Sequence, residues 1–143
     1  MANRLSERDL LKIELVSERS MFVPGRGNFP VCPVCKQPIF GAPDLHEAII
    51  TRGQVAGTAK EKRDKINSRY NCVLRHNTCP TGQSHTPGIG SREDFDACLG
   101  QIIDFEGYEL LQEWLNSMTY YYPIVAAQAL LRVTSSYNKT RGD

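Results

Sequence analysis

Two short pairs of cysteine and histidine have the spacing of a metal-binding site. Two residues separate Cys32 from Cys35, and two residues separate His76 from Cys79. Thiolate and imidazole are the ligands that zinc prefers, and this spacing lets both members of a pair bind one ion from a single turn. We therefore predict a structural zinc held by Cys32, Cys35, His76 and Cys79.

The alternative for the first pair is two small core residues or a redox couple. The second pair, which has the same spacing, favours the metal site. The chain has five cysteines, an odd number that cannot be fully paired in disulfides. Cys72 and Cys98 lie among apolar residues, and we expect both to be buried thiols.

A polar cluster lies between the two pairs, where closure of the metal site would bring it near the ligands. His46 is flanked by Asp44 and Glu47, and Asn71 precedes His76 by five residues. In this order, Cys-x-x-Cys, histidine, asparagine and His-x-x-Cys resemble the motif of the zinc-containing HNH endonucleases. The resemblance covers residues 32–90.

The resemblance implies an α+β fold with a ββα-metal core, stapled by the zinc and flanked by helices at both termini. It implies a metal-dependent DNA endonuclease, such as a phage-encoded homing or DNA-processing nuclease that nicks DNA or cuts both strands. His46 would be the general base, since imidazole can take a proton near pH 7. Asn71 would help to hold a catalytic Mg²⁺ or Mn²⁺ or to orient the base, and the cation would neutralise phosphoryl charge.

The chain departs from the family pattern at two places. The family has a histidine directly after the last cysteine, where this chain has Pro80, so His85 is the substitute expected for catalysis or metal binding. Its alternative role is a phosphate contact from a loop.

The second departure is Leu45, which occupies the place of an acidic residue or histidine before the base. Either Asp44, on the same strand face as His46, or Glu47, directly beside it, would complete the metal shell. The alternative for His46 itself is a surface histidine at the end of a strand.

Basic residues between the first histidine and the second ligand pair are candidates for DNA binding. The run around 60–65 also contains two acidic residues, so a solvated helix face is the alternative. The candidates are Arg52, Lys60, Lys62, Arg63, Lys65, Arg69 and Arg75. With a formal net charge of +1, any DNA surface must come from local clustering.

The 143 residues predict one domain. We expect a helix from Ser6 to about Ser20, although alternating apolar residues at 11–15 leave a strand open, and a turn-rich linker to residue 30. The zinc-stapled core would occupy 31–90, with an exposed insertion that is helical over 58–67. Helices over 91–134, the first capped by Ser91, and a frayed tail over 135–143 would follow.

No apolar run approaches the length of a membrane span, and the N-terminus lacks the apolar stretch of a signal peptide. We therefore expect a cytoplasmic protein, in the host cell if it is phage-encoded, with DNA as its partner. A monomer would nick, whereas double-strand cleavage requires a homodimer or two successive nicks. The alternative function is a non-catalytic, zinc-stapled module that binds DNA or protein.

Overall fold

The computed structural model describes residues 5–77 and 92–140, which form a mixed α+β fold. The described residues form five α-helices and two separate two-stranded antiparallel sheets. The helices are α1 (Glu7–Arg19), α2 (Lys60–Arg63), α3 (Arg92–Glu106), α4 (Tyr108–Met118) and α5 (Pro123–Thr140). The strands are β1 (Ser20–Val23), β2 (Gly27–Pro30), β3 (Asp44–Glu47) and β4 (Cys72–Arg75). The predicted loop over 79–90 and the Ser91 cap lie outside the described residues.

The N-terminal helix α1 confirms the sequence prediction. The Ser6 hydroxyl accepts from the backbone N–H of Asp9, and the Asp9 carboxylate accepts from the N–H of Ser6, which forms a capping box. Leu11, Leu15 and Arg19 are buried and lie four residues apart. This is the spacing of one face of a helix, and not of a strand. Ile13, whose alternation with its neighbours suggested a strand, is 57% exposed.

Strands β1 and β2 form a hairpin where the sequence predicted a linker. Ser20 pairs with Pro30 and Val23 with Gly27, across a turn that includes Gly25. Gly25 and Gly27 have φ of 77° and 106°, values that glycine adopts without a Cβ penalty. The prediction of a linker was wrong because the glycines and prolines mark the turn and the strand end, and not an unpaired segment.

Strands β3 and β4 form a second hairpin, which separates two apolar clusters. Leu45 and Leu74 pair across the ribbon and pack with buried residues of α1. Val73, which points to the other face because strand side chains alternate, belongs to the larger core formed with α3, α4 and α5. The ribbon is therefore covered by α1 on one side and by the C-terminal helices on the other.

The insertion between these strands is only partly helical. Its helix α2 covers Lys60–Arg63, and a 3₁₀ turn follows over Asp64–Ile66. The predicted helix over 58–67 is therefore confirmed for the central residues and not for its two ends. Val55 and Ile66 are each 1% exposed and attach the insertion to the main core. The basic residues at 60, 62, 63 and 65 remain on its exposed surface.

The C-terminal helix α5 extends further than the sequence suggested. It runs to Thr140, and Val133 and Ser136 are buried along it, so the prediction of a frayed tail was wrong up to that residue. Tyr137 stacks on Tyr108 of α4 with ring centroids 3.7 Å apart. The polar composition after residue 134 concealed a helical face built from small residues and tyrosine. Of the helices described, none has the length and apolar character to cross a membrane.

Candidate metal centre and cleft

The first ligand pair and His76 meet at one place, as the spacing predicted. Cys32 lies just after β2, Cys35 follows in a tight turn, and His76 directly follows β4. The potential ligand atoms of these three residues all lie within 4.8 Å of one another, and Cys35 Sγ is 3.4 Å from His76 Nδ1. Such a group can hold a metal ion, and its two sulfur atoms and one nitrogen suit zinc.

The ring of His76 is oriented for metal binding. Its Nε2 lies 3.1 Å from the carbonyl oxygen of Pro38, and a carbonyl only accepts, so Nε2 carries the proton. The lone pair of Nδ1 therefore faces the thiols. A backbone carbonyl that fixes the tautomer in this way is the usual outer partner of a metal-bound histidine.

The Cys32 thiol is prepared for ionisation. Burial alone would raise its pKa, but hydrogen bonds from the backbone of Cys35, His76 and Val34 outweigh this effect, and the pKa is lowered to about 6. A thiolate is the form that binds zinc. Cys79, the predicted fourth ligand, lies outside the described residues and stays a prediction.

The remaining described cysteines are buried thiols, as predicted. Cys72 and Cys98 are almost completely buried, and burial raises the pKa of each to about 12. At neutral pH both are therefore protonated. Neither belongs to the cluster of Cys32, Cys35 and His76.

A cleft of about 710 Å³ lies between the β3–β4 ribbon and the helices α3 and α5. Its walls carry one histidine and several charged side chains from four elements. The ionisable residues of the lining are His46, Glu47, Arg75, Arg92, Asp94, Asp96 and Arg132. A concave site with convergent ionisable groups is the usual form of an active or binding site.

His46 is half-buried in the middle of β3 and lines this cleft. It pairs with Val73, and residues that pair directly share a face of the ribbon. Asp44 and Arg75 form the neighbouring pair on the same face. The structure thus places the predicted base in a cleft, and not at an isolated strand end.

Arg75 brings a buried positive charge to the cleft. Only 5% of it is exposed, and burial lowers the pKa of its guanidinium, while the carboxylates of Asp94 and Asp44 act in the opposite direction. A guanidinium removed from water in this way requires anionic partners. Asp94 and Asp44 supply negative charge of this kind, so Arg75 belongs to a charged group of side chains at the cleft.

The acidic residues of α3 were missed as site residues by sequence reasoning. Asp94 and Asp96 line the cleft from the first turns of the helix. Asp96 accepts a hydrogen bond from the Ser136 hydroxyl and lies 3.8 Å from Lys139 Nζ, so it links α3 to α5. The acidic start of the helix was visible in the sequence, but its approach to His46 depends on tertiary packing.

Asn71 has a different position from the one that a cation ligand requires. It is fully buried, its Oδ1 accepts from the backbone N–H groups of Ile49 and Ile50, and its Nδ2 donates to the carbonyls of Ile50 and Ile66. These four bonds use both donors and both acceptor sites of the amide. Asn71 therefore fixes the chain after β3, and its side chain has no lone pair left for a metal.

Asp44 and Glu47, the two carboxylates predicted to complete the cation shell, lie on different faces of the ribbon. Asp44 is exposed and shares the ribbon face of His46. Glu47 points to the other face, where its carboxylate lies 2.8 Å from Arg8 and 3.8 Å from Arg52. Glu47 nevertheless contributes to the lining of the cleft, and Asp44 does not. His85, the third predicted candidate, lies outside the described residues.

The seven predicted DNA-binding residues do not form one surface. Arg75 is the one among them that lines the cleft. Arg69 lies 3.1 Å from Glu14 and 2.9 Å from Glu18, which are carboxylates of α1. The other five, all on the exposed insertion, are Arg52, Lys60, Lys62, Arg63 and Lys65.

Comparison with protein family models, with curated proteins and with solved structures found no match to this chain.

Proposed function

We propose that this protein is a metal-dependent DNA endonuclease of the HNH type, in which His46 is the general base. The observation that carries the proposal is the position of His46 in a cleft of about 710 Å³ that also contains the buried guanidinium of Arg75 and the carboxylate of Asp94. Phosphodiester hydrolysis needs these three kinds of group: a proton acceptor, a cation for the phosphate and an anion for a divalent metal.

The order of elements around the cleft supports the same proposal. Strand β3 carries His46, β4 carries Arg75, and α3, which contacts β4, carries Asp94. Two antiparallel strands followed by a helix that packs on them form the arrangement expected for a ββα-metal unit. The histidine and the carboxylate then approach the substrate from different elements.

Each residue has a defined task in the proposed reaction. Neutral His46 takes a proton from the attacking water, and Arg75, Arg92 and Arg132 hold the phosphodiester by charge-assisted hydrogen bonds. Asp94, Asp96 and Glu47 are the described carboxylates that line the cleft and would hold Mg²⁺ or Mn²⁺, with Asp44 and His85 as the other candidates. When bound, this cation would offset the negative charge that develops on the phosphoryl and leaving oxygens.

The zinc that we propose at Cys32, Cys35, His76 and Cys79 is structural. His76 is the residue directly after Arg75, so a metal bound there fixes the end of β4 at the cleft. A closed shell of four protein ligands leaves no open position for substrate. The metal would therefore support the site without taking part in the reaction.

Plasmid nicking tests the proposal. Wild-type protein with Mg²⁺ or Mn²⁺ should convert supercoiled DNA to the open-circular form, and His46→Ala should abolish this conversion. Tyr120→Ala is the control, because this side chain is 83% exposed and does not line the cleft. Cleavage that persists both in EDTA and in His46→Ala would contradict the proposed mechanism.

The second candidate is a non-catalytic, zinc-stapled module that binds DNA or protein. The side-chain amide of Asn71 favours this alternative, because it binds backbone groups of the protein. In an HNH enzyme we expected this residue to act at the reacting centre. Stable binding of DNA by wild-type protein, without nicking under any divalent cation, would select this alternative.

A further inference from the structure

Arg132 of α5 is a cation of the cleft that is held by an aromatic ring. It lines the cleft together with Phe95 of α3. Its guanidinium lies over the Phe95 ring, with Cζ 4.6 Å from the ring centroid. Within residues 5–77 and 92–140, no carboxylate forms an ion pair with it. The ring therefore fixes the position of this charge without neutralising it.

A backbone carbonyl also contacts the same guanidinium. One terminal nitrogen of Arg132 donates to the carbonyl oxygen of Ile49 at 3.5 Å. The N–H of Ile49 in turn donates to Oδ1 of Asn71 at 3.2 Å. Ile49 and Asn71 are both completely buried, so this carbonyl belongs to the packed interior. Asn71 thus contributes to the cleft indirectly, through the backbone that Arg132 contacts.

The Phe95 ring makes two kinds of contact with different consequences. It is half-buried and packs against the main apolar core, a contact that contributes to stability alone. It also carries the guanidinium of Arg132, since the face of a ring attracts a cation and leaves the N–H donors of a guanidinium available. The donors that Ile49 does not use can therefore bind an anion in the cleft.

The ring reduces the conformational freedom that Arg132 must lose when it binds a ligand. Arg132 is exposed, and ordering a long side chain on binding costs free energy. A guanidinium held over a ring has lost part of this freedom before the ligand arrives. Arg92, the exposed first residue of α3, has no such ring contact within the part of the chain that the structure describes. Arg132 is therefore the better prepared of the two exposed arginines of the cleft.

We propose that Phe95 is a positioning residue, whose ring holds Arg132 in the orientation that binds a phosphate of DNA. The inference rests on the proposed function in taking DNA as the ligand of the cleft. Phe95 acts through Arg132 and needs no contact with DNA of its own. If the ring served only the core, its removal would affect DNA binding equally whether or not Arg132 is present.

Fluorescence anisotropy with a labelled DNA duplex tests this inference. All proteins carry His46→Ala, so that no cleavage occurs, and the protein with this change alone is the parent. Phe95→Leu should weaken DNA binding about 2- to 5-fold, the range expected for loss of one exposed cation–π contact. In a protein that also carries Arg132→Gln, Phe95→Leu should have no further effect, because the residue through which the ring acts is gone. Phe95→Tyr, which keeps the ring, should bind like the parent.

Phe105→Leu is the matched control. Phe105 lies on the same helix and also beneath a guanidinium, that of Arg19 at 5.6 Å, but it does not line the cleft. This variant should leave DNA binding unchanged, and thermal unfolding of every variant measures loss of stability separately. An effect of Phe95→Leu that is equal with and without Arg132→Gln would overturn the inference. So would a Phe95→Tyr protein that binds as weakly as Phe95→Leu.

NMR supplies a measurement that needs no DNA. The ring current of Phe95 should shift the side-chain protons of Arg132 upfield in the parent, and Phe95→Leu should remove this shift. Phe105→Leu should leave it in place. Arg132 signals that are the same in the parent and in Phe95→Leu would show that the ring does not hold the guanidinium.

The outcomes also separate this inference from the proposed function. Coupling between Phe95 and Arg132 in DNA binding, in a protein whose wild type never nicks, would sustain the inference and refute the nuclease. Nicking by wild-type protein without this coupling would sustain the nuclease and refute the inference. Absence of any DNA binding would refute both.

Discussion

Cys35 Sγ and His76 Nδ1 lie 3.4 Å apart although the two residues are 41 positions apart in the chain. Together with Cys32 they form a group of potential metal ligands on which the ends of two hairpins converge. A metal bound at such a point links distant parts of the chain, and its binding free energy becomes part of the folding free energy. Stability and metal content should therefore change together.

Cys35→Ser tests this dependence. We expect it to lower the bound zinc per chain and to lower Tm by roughly 10 °C, because a lost ligand weakens metal binding and hence folding. Gln37→Ala, in the same turn but with an exposed side chain, should change neither quantity. Metal analysis and thermal unfolding supply the two measurements. Unchanged zinc content in Cys35→Ser would show that the ligand assignment is incorrect.

Asn71→Ala should destabilise the fold. It removes four hydrogen bonds and leaves buried backbone groups of Ile49, Ile50 and Ile66 without that partner, so we expect a loss of about 3 kcal/mol or more. Urea unfolding measures this loss, and Asn28→Ala, on an exposed position of β2, is the control. If Asn71→Ala keeps full stability but loses nicking, the residue acts at the reacting centre instead.

Arg75 and Arg69 were predicted to play the same role, and the structure separates them. Arg75→Gln should reduce nicking at least about tenfold, since it removes a cation from the proposed phosphate site. Arg69→Gln should leave nicking within about twofold and lower stability by about 1 kcal/mol, because its two closer ion pairs, with Glu14 and Glu18, are partly exposed and the pair with Glu106 is longer, at 3.7 Å. Initial nicking rates of the two variants measure the effect on activity, and urea midpoints measure the effect on stability. Equal losses of activity would contradict this division of roles.

The buried thiols give the protein a predicted sensitivity to alkaline pH. The pKa of Cys72 and of Cys98 is about 12 in the folded state against 9.0 for an ordinary thiol, so the folded chain binds more protons than the unfolded chain above pH 9. The contribution of these thiols is complete below pH 9 and declines as the pH rises from about 9 towards 12. Urea unfolding measured across this range should show that decline.

Cys98→Ala should reduce the slope of the decline, because it removes one of the two titrating groups. The same thiols should resist iodoacetamide at pH 8 until the chain is unfolded, and mass spectrometry of the alkylated peptides reports this. Rapid alkylation of Cys72 in the folded protein would contradict the burial that we describe.

Local signals in the sequence predicted the local features of the structure. The capping box at Ser6 and Asp9 gave the start of α1, and the spacing of Cys32 and Cys35 predicted two side chains that meet His76 in a group able to hold a metal ion. Both features depend on residues close in the chain, where geometry follows directly from spacing. The position of His46 in a cleft was also consistent with the pattern.

Features that depend on tertiary packing could not be predicted in this way. Asn71 lies five residues before His76 in the sequence, but the direction of its amide depends on where residues 49, 50 and 66 lie. Asp94 reaches the cleft only because α3 packs on β4. The β1–β2 hairpin was missed because its strands are four residues long and bounded by glycine and proline, which also occur in unpaired turns.

The two-sided packing of the β3–β4 ribbon has a consequence for the accuracy of the site. A two-stranded ribbon is marginally stable by itself, and a slip of one residue would carry Leu45 into the cleft and His46 into the apolar cluster beneath α1. Burial of Leu45 and Leu74 on one side opposes that slip, and burial of Val73 on the other opposes it again. The alignment of His46 is therefore enforced by the hydrophobic effect on both faces, although only two strands carry it.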